Sequence, residues 1–357
     1  MKGFPRNFPP YFSIYVVYFV IAYIRSFIQY PFYIHYNLIL VILILYMYYN
    51  TIKVENFLHW YKKMATIWIA FFVVQCISYY LFNKGISGVF SFLPIGISDD
   101  SNYFISELEH SYRFASFFSE PSHFGLFLAP LLSIELFYYK HYTRAGLLLI
   151  ILLMTQSGNS LILIIPCAIM MIYVIIKQKK SANLVTLYTI GIGILFALLV
   201  YFLNSDMGHT LLERKEEFTY NGSSAYVRIV RGFLLFDDYS LTEKIFGVNN
   251  SSGIMAHIYS SGMSNHFFTD YGDNLFFNNI HNILLYTGFC GLSIFILFIL
   301  HLLIKGSLVS KVIALQFFFV SFSEDMFIND RMIFYLMLIY LFKDINSSLI
   351  FSKRSLS

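Results

Sequence analysis

Apolar residues run through this chain in long blocks; they do not alternate with polar ones. Blocks of near-spanning length lie at about 9–24, 32–49, 64–83, 120–139, 160–176, 184–203 and 282–304. Three weaker blocks lie at about 145–156, 312–322 and 332–343. These are short for a full crossing and suit re-entrant or broken helices. A helix needs ~20 apolar residues to cross a bilayer. The blocks therefore predict an all-α polytopic integral membrane protein with about ten transmembrane helices. Three regions follow: an N-terminal transmembrane bundle at 1–203, a large extracytoplasmic loop at 204–280, and C-terminal helices with a short cytoplasmic tail at 281–357. Ten crossings put both termini on one side.

The cations test that arrangement. Of the 24 Lys and Arg, fifteen fall in short connections on one side: Lys2, Arg6, Lys53, Lys62, Lys63, Lys140, Arg144, Lys177, Lys179, Lys180, Lys305, Lys311, Lys343, Lys353 and Arg354. Short cytoplasmic loops carry this excess, so both termini are expected in the cytoplasm. Five of the other nine sit in the long loop, where the rule has little force. Acidic residues separate the other way: only Glu55, Glu135 and Asp344 are not outside.

Composition agrees. The chain is 58% hydrophobic and 12% charged, with 40 Phe and 29 Tyr. A soluble domain carries about 25% charge, so the bilayer is the main solvent. A net charge of +4 is too small to suggest a nucleic-acid partner. Cys76, Cys167 and Cys290 lie in apolar blocks and offer neither a zinc spacing nor a disulfide framework. Lys2 and Arg6 precede the first block, but no small-residue cleavage site follows, so this block reads as a membrane helix.

The polar residues that remain are where chemistry is sought, because ionisable groups at membrane depth are costly. The run Arg113-Phe-Ala-Ser-Phe-Phe-Ser119-Glu120-Pro121-Ser122-His123-Phe124 opens the block 124–139. Ser119 can cap a helix that Glu120 and Pro121 begin, and that alone is a sufficient structural reason for the motif. Arg113 and His123 add functional weight. Arg228 and Arg231, three apart, are expected on one face of a short helix capped by Ser223 or Ser224, with Val227, Val230 and Leu234 as its apolar stripe. Paired guanidiniums suit a phosphate or pyrophosphate; a solvated or headgroup-facing helix is the plainer explanation. His281-Asn282 opens the next block. His281 there is either a general base or an interfacial residue, and Asn282 either orients it or caps the helix. On the expected topology Arg113, Glu120, His123, Arg228, Arg231, His281 and Asn282 all reach the outer boundary.

Other polar stretches carry less. Thr155-Gln-Ser157-Gly-Asn159-Ser160 reads as a tight turn or a broken helix. His266, Asp270 and Asp273 match no metal spacing and read as solvated loop. Glu324, Asp325, Asp330 and Arg331 add polarity to the outer face. No phosphate-binding loop or nucleophile elbow stands in a suitable context, so no metal and no cofactor is expected.

These residues resemble a known family. Arg113 with Ser119-Glu-Pro-Ser-His-Phe124 before a membrane helix is similar to the E-P-S motif of Wzy-type repeat-unit polymerases for O-antigen, capsule and exopolysaccharide. The long outer loop, the Arg228 region followed by Phe246-Gly247, and His281-Asn-x-x-Leu-Tyr-x-Gly288-x-x-Gly291 resemble the wider O-antigen polymerase and ligase superfamily. The resemblance implies a glycosyltransferase in the bacterial cytoplasmic membrane, active on its outer face. It would join undecaprenyl-diphosphate-linked oligosaccharides, with a flippase and a chain-length regulator as partners. It would give Arg228 the diphosphate, His281 the acceptor proton, and Arg113 or Glu120 the ordering of the site. Arg231, His123 and Asn282 would line the substrate. The chain departs from the pattern in having one dominant arginine cluster in the loop. A ligase shares this architecture. A lipid-linked sugar flippase would place polar groups through the mid-membrane; here they collect at one face, Glu135 excepted.

The topology makes a direct prediction. In a Cys-free background on intact cells, an impermeant thiol reagent should label Ser251→Cys and spare Ser181→Cys. The reverse pattern would overturn the orientation and the site placement with it.

Overall fold

The computed structural model describes residues 54–86, 114–118, 120–177, 224–248, 251–262, 268–269, 272–273, 276–327 and 330–343. Apolar blocks 9–24, 32–49 and 184–203 lie outside them. Among the described residues the fold is helical apart from one antiparallel pair, β1 (Phe268–Thr269) with β2 (Gly272–Asp273). Among the described residues three helices are long and apolar enough to cross a membrane: Val54–Phe82, Gly158–Ile175 and Asn279–Lys305. The chain divides into two compact units, one of Ile52–Leu211 and one of Met1–Thr51 with Leu212–Ser357.

The 52–211 unit contains α1 (Val54–Phe82), α2 (Pro121–Ile134), α3 (Tyr142–Met154) and α4 (Gly158–Lys177). Helix α1 starts well before its apolar block, because its first turns carry Glu55, Lys62 and Lys63 among apolar residues. Leu58, Tyr61, Ala65, Phe72, Gln75 and Cys76 form its buried stripe at helical spacing. Trp60, Met64, Ile67, Val73, Val74 and Ile77 are exposed apolar residues on the remaining surface, as expected of a helix in lipid. Gln75 ties the 114–118 stretch to α1: its Oε1 accepts from Ser116 N at 2.8 Å and its Nε2 donates to Ser116 O at 3.2 Å. That stretch completes an aromatic cluster in which Phe72 meets Phe114 and Phe124, and Phe118 meets Trp68, Phe124 and Phe127.

Helix α2 is the core of this unit; twelve of its residues are buried. It gives way to a π-helical turn, Glu135–Tyr139, ended by Lys140 at φ 57°. Here Glu135, buried in an apolar unit, is neutralised by Lys62 at 2.9 Å and meets His141 Nδ1 at 3.1 Å. Gly125 lets α2 approach α4 closely, since a Cβ there would fall on the Ser160 side chain. The polar stretch at 155–160 is the tight α3–α4 turn, with Gln156 in the left-handed region. It is mostly buried, and Thr155 Oγ1 donates to Ser160 Oγ at 2.9 Å.

The other unit contains α5 (Ser224–Ile229), α6 (Arg231–Asp237), α7 (Leu241–Phe246), α8 (Ser251–Ser260), α9 (Asn279–Lys305), α10 (Leu308–Val320) and α11 (Asp330–Lys343). Ser240 and Glu243 form a capping box on α7, and His257 of α8 reaches the same carboxylate at 2.9 Å. Helix α9 is one block in the sequence but is broken at Gly288 (φ 63°, ψ −164°). Gly247, which ends α7, has φ 73° and ψ 176°. Both conformations are essentially reserved for glycine. The two glycines make one close crossing: a Cβ on Gly247 would collide with the Tyr286–Thr287 backbone, and one on Gly288 with the Ile245–Phe246 backbone. Val248 N then donates to the Leu285 carbonyl at 2.9 Å, satisfying one acceptor that the break frees. Two of the resemblance-bearing glycines, Gly247 and Gly288, are thus the points where α7 crosses α9, while Gly291 makes room for the Thr287 side chain.

Candidate functional site

The polar centre of the 212–357 unit is built around Glu324, a carboxylate 1% exposed in the turn after α10. An unpaired carboxylate there would be very costly. Arg228 Nη1 donates to its Oε1 at 2.6 Å, and Arg331 Nη1 to its Oε2 at 2.9 Å. Each oxygen thus takes one guanidinium, from helices far apart in sequence. Two guanidiniums thus meet on one carboxylate, with Asp325 close to Arg331. The two arginine side chains remain 24% and 22% exposed. The Arg228 guanidinium also lies over the Phe276 ring, 4.9 Å from its centroid. The result is a buried carboxylate held by two charge-assisted hydrogen bonds from partly exposed guanidiniums.

Asn278 holds the elements that supply those groups. It caps α9, its Oδ1 accepting from His281 N at 2.7 Å. Its Nδ2 donates to the Arg228 carbonyl at 2.6 Å and to the Phe322 carbonyl at 2.8 Å. One buried amide therefore joins α5, the turn after α10 and the start of α9. Beside it Asn279 N donates to Glu324 O at 2.8 Å, and Asn279 Nδ2 to Ser321 Oγ at 2.9 Å. Asn282, expected to orient His281 or cap the helix, does neither: its Nδ2 donates to Phe277 O at 3.3 Å and Asp325 Oδ1 at 3.0 Å. Burial raises the Asp325 carboxyl above its ordinary value, against the bond from Phe327 N, the nearby Arg331 and the bond from Asn282.

Arg228 and Arg231 both reach Phe276, Arg228 lying over its ring and Arg231 donating to its carbonyl. The helical path is interrupted at Val230, because the Ile229 carbonyl is taken by His281 Nε2 at 3.2 Å while Phe233 N turns to Val230 O. Arg231 is 2% exposed and donates from Nη2 to Phe276 O at 2.9 Å. Burial pushes its guanidinium down to about 10, still cationic at neutral pH. Leu234, expected on the apolar stripe, is exposed, and Leu235 and Phe236 face the core instead.

His281 is fully buried, in the first turn of α9. Its ring meets Phe233 edge-on at 4.6 Å. Its Nδ1 has no hydrogen-bond partner. Gly232 packs against it: a Cβ there would lie 2.3 Å from the imidazole Cγ and 2.4 Å from Nδ1.

Glu120 and His123 belong to the 52–211 unit. Glu120, not Ser119, is the residue that precedes α2, and its side chain makes no cap bond. Ser119 and Arg113 lie outside the described residues. Glu120 Oε2 accepts from Ser122 Oγ at 2.8 Å, with His123 Nε2 at 4.0 Å. Pro121 occupies the first helical position as expected.

The structure therefore brings together Arg228, Arg231, His281 and Asn282, and adds Asn278, Gly232 and the Glu324–Arg331 pair. Asn278 had a legible signal, an Asn three residues before a histidine at the edge of an apolar block. Gly232 had none.

Long apolar helices around a buried ion-pair cluster define an integral membrane protein. A family model described as WcaD colanic acid polymerase matches residues 11–343. The chain belongs to that family, and its activity is that of a polysaccharide polymerase. No curated protein and no solved structure matches the chain significantly.

The clamp predicts a stability effect. Removing one partner of a buried pair costs about 3–5 kcal/mol. With the arginines about a quarter exposed, solvent recovers part of that, so Glu324→Ala should cost about 2 kcal/mol. Thermal unfolding of the detergent-solubilised protein measures it. An unchanged midpoint would show that Glu324 does not hold the two arginines.

Proposed function

We propose that this protein joins lipid-diphosphate-linked oligosaccharide repeat units by glycosyl transfer at the outer face of the cytoplasmic membrane. The family supplies the polymerase. The observation that carries the finer reading is the pair of partly exposed arginines, Arg228 and Arg331, on the buried Glu324.

A hydroxyl of the acceptor unit attacks the anomeric carbon of the donor glycan. The new C–O bond forms as the C–O bond to the diphosphate breaks. The electron pair leaves with the lipid diphosphate, and the acceptor proton is released. Negative charge grows on the diphosphate, so fixed guanidiniums lower the barrier. Arg228 and Arg331 are already oriented by the carboxylate, so phosphate oxygens would meet guanidiniums held in place. The donor arrives activated, so no nucleotide fold is required. Undecaprenyl diphosphate is the carrier this chemistry suits in a bacterial membrane.

About ten crossings with the 204–280 loop outside would put both helix starts, at 120 and 279, on the outer boundary. A flippase would deliver the units to that face, and a chain-length regulator would act on the product.

Arg228 is the residue to test. A planar guanidinium bridging two oxygens is poorly replaced by an ammonium. With purified lipid-linked repeat units in detergent, Arg228→Lys should lose at least about tenfold in polymerisation, the effect of one charge-assisted bond. Arg231→Lys should be milder at equal protein level, because Arg231 is buried on a backbone carbonyl. Polymer of wild-type length and rate from Arg228→Ala would sink the assignment. Because detergent removes the barrier between the two sides, a flippase would make no polymer at all in this assay.

A further inference from the structure

We infer that His281 acts as a positioning residue for Arg228, and that Gly232 is its seat. This rests on the reading that Arg228 grips the donor diphosphate.

The first turn of α9 holds two successive carbonyls of the 224–232 stretch. Asn278 Nδ2 holds that of Arg228 at 2.6 Å, and His281 Nε2 that of Ile229 at 3.2 Å. A carbonyl only accepts, so Nε2 carries the proton of that bond. The bond diverts the Ile229 carbonyl out of the helical pattern and separates α5 from α6 at Val230. Arg228 therefore sits at the free end of a short helix, fixed by its own carbonyl and the next, with its guanidinium on Glu324.

A proton acceptor needs a lone pair within about 2.6–3.2 Å of the substrate hydroxyl. The neutral ring keeps that lone pair on Nδ1. Nδ1 is buried, and the backbone of Gly232 occupies the space beside it. Phe233 covers the ring from a second side. An imidazole sealed in this way delivers geometry. Only glycine at 232 leaves room for the ring, which explains a small residue at the start of α6.

Glutamine separates the two roles. Its amide N–H can donate to the Ile229 carbonyl, but it cannot take up a proton near neutral pH. The assay uses full-length protein in detergent and purified lipid-linked repeat units, and reads kcat and KM across about pH 5.5–8, the range in which histidine titrates. Loss of one backbone-holding hydrogen bond corresponds to about a tenfold effect, so His281→Ala should raise KM by about that factor. His281→Gln should restore most of that loss and leave the shape of the pH profile unchanged. Gly232→Ala should resemble His281→Ala. Added to His281→Ala, it should cost nothing further, because the ring's space is vacated.

A His281→Gln protein that folds normally but loses about 100-fold or more in kcat, the range of general-base catalysis, overturns the positioning role. Equal losses from Gly232→Ala with and without the His281 ring overturn the seat. Wild-type KM in Arg228→Ala sinks the diphosphate reading and the positioning role with it. An impaired Arg228→Ala beside an inactive His281→Gln sinks the positioning role alone.

Discussion

A carboxylate buried in a membrane protein has to be neutralised where it stands, and the 212–357 unit is organised by that requirement at Glu324. Water cannot reach it, so cations must. The nearest are supplied by α5 and α11, which are separated by about a hundred positions of chain. Drawing both to one carboxylate brings α5, the turn after α10 and the start of α9 into contact. Asn278 then fixes that contact with three hydrogen bonds. A lone arginine would have neutralised the charge. The second adds another charge-assisted bond to Glu324, and both guanidiniums stay partly exposed.

The same unit tolerates backbone that a lipid-facing helix could not. Helix α9 breaks at Gly288, where α7 ends against it at Gly247. The broken path is covered by protein, and the Leu285 carbonyl finds Val248. In the 52–211 unit the Glu135 carboxylate raises the same electrostatic problem and receives a different answer. Lys62 and His141 close over it, and Lys62 also lies against the Tyr139 ring.

Much of the architecture was legible as apolar blocks. Blocks 64–83, 160–176 and 282–304 became the three spanning-length helices, and 145–156 and 312–322 the shorter α3 and α10. Helix α1 outran its block because cations at a helix end cost little when their stems lie along apolar surface. The site was legible as residue types but not as partnerships. Arg228, Arg231, His281 and Asn282 stood out as polar groups beside apolar runs. The split between α5 and α6 did not, because it depends on a hydrogen bond across 52 positions. For the same reason the different settings of the two arginines were not legible: Arg228 is partly exposed on Glu324, and Arg231 is buried on the Phe276 carbonyl. Gly232 carries meaning only once a ring is known to lie against it.

The account's central claim is that the donor diphosphate lies on the Arg228–Arg331 pair, beside the Phe276 ring. A photo-crosslinking amino acid in place of Phe276 tests it directly, with labelled lipid-linked repeat units added to the purified protein. The account predicts a crosslink to the lipid-linked substrate that inorganic pyrophosphate competes away and that Arg228→Ala abolishes. A crosslink that persists undiminished in Arg228→Ala, or none from Phe276 while a probe at Phe322 gives one, would contradict it.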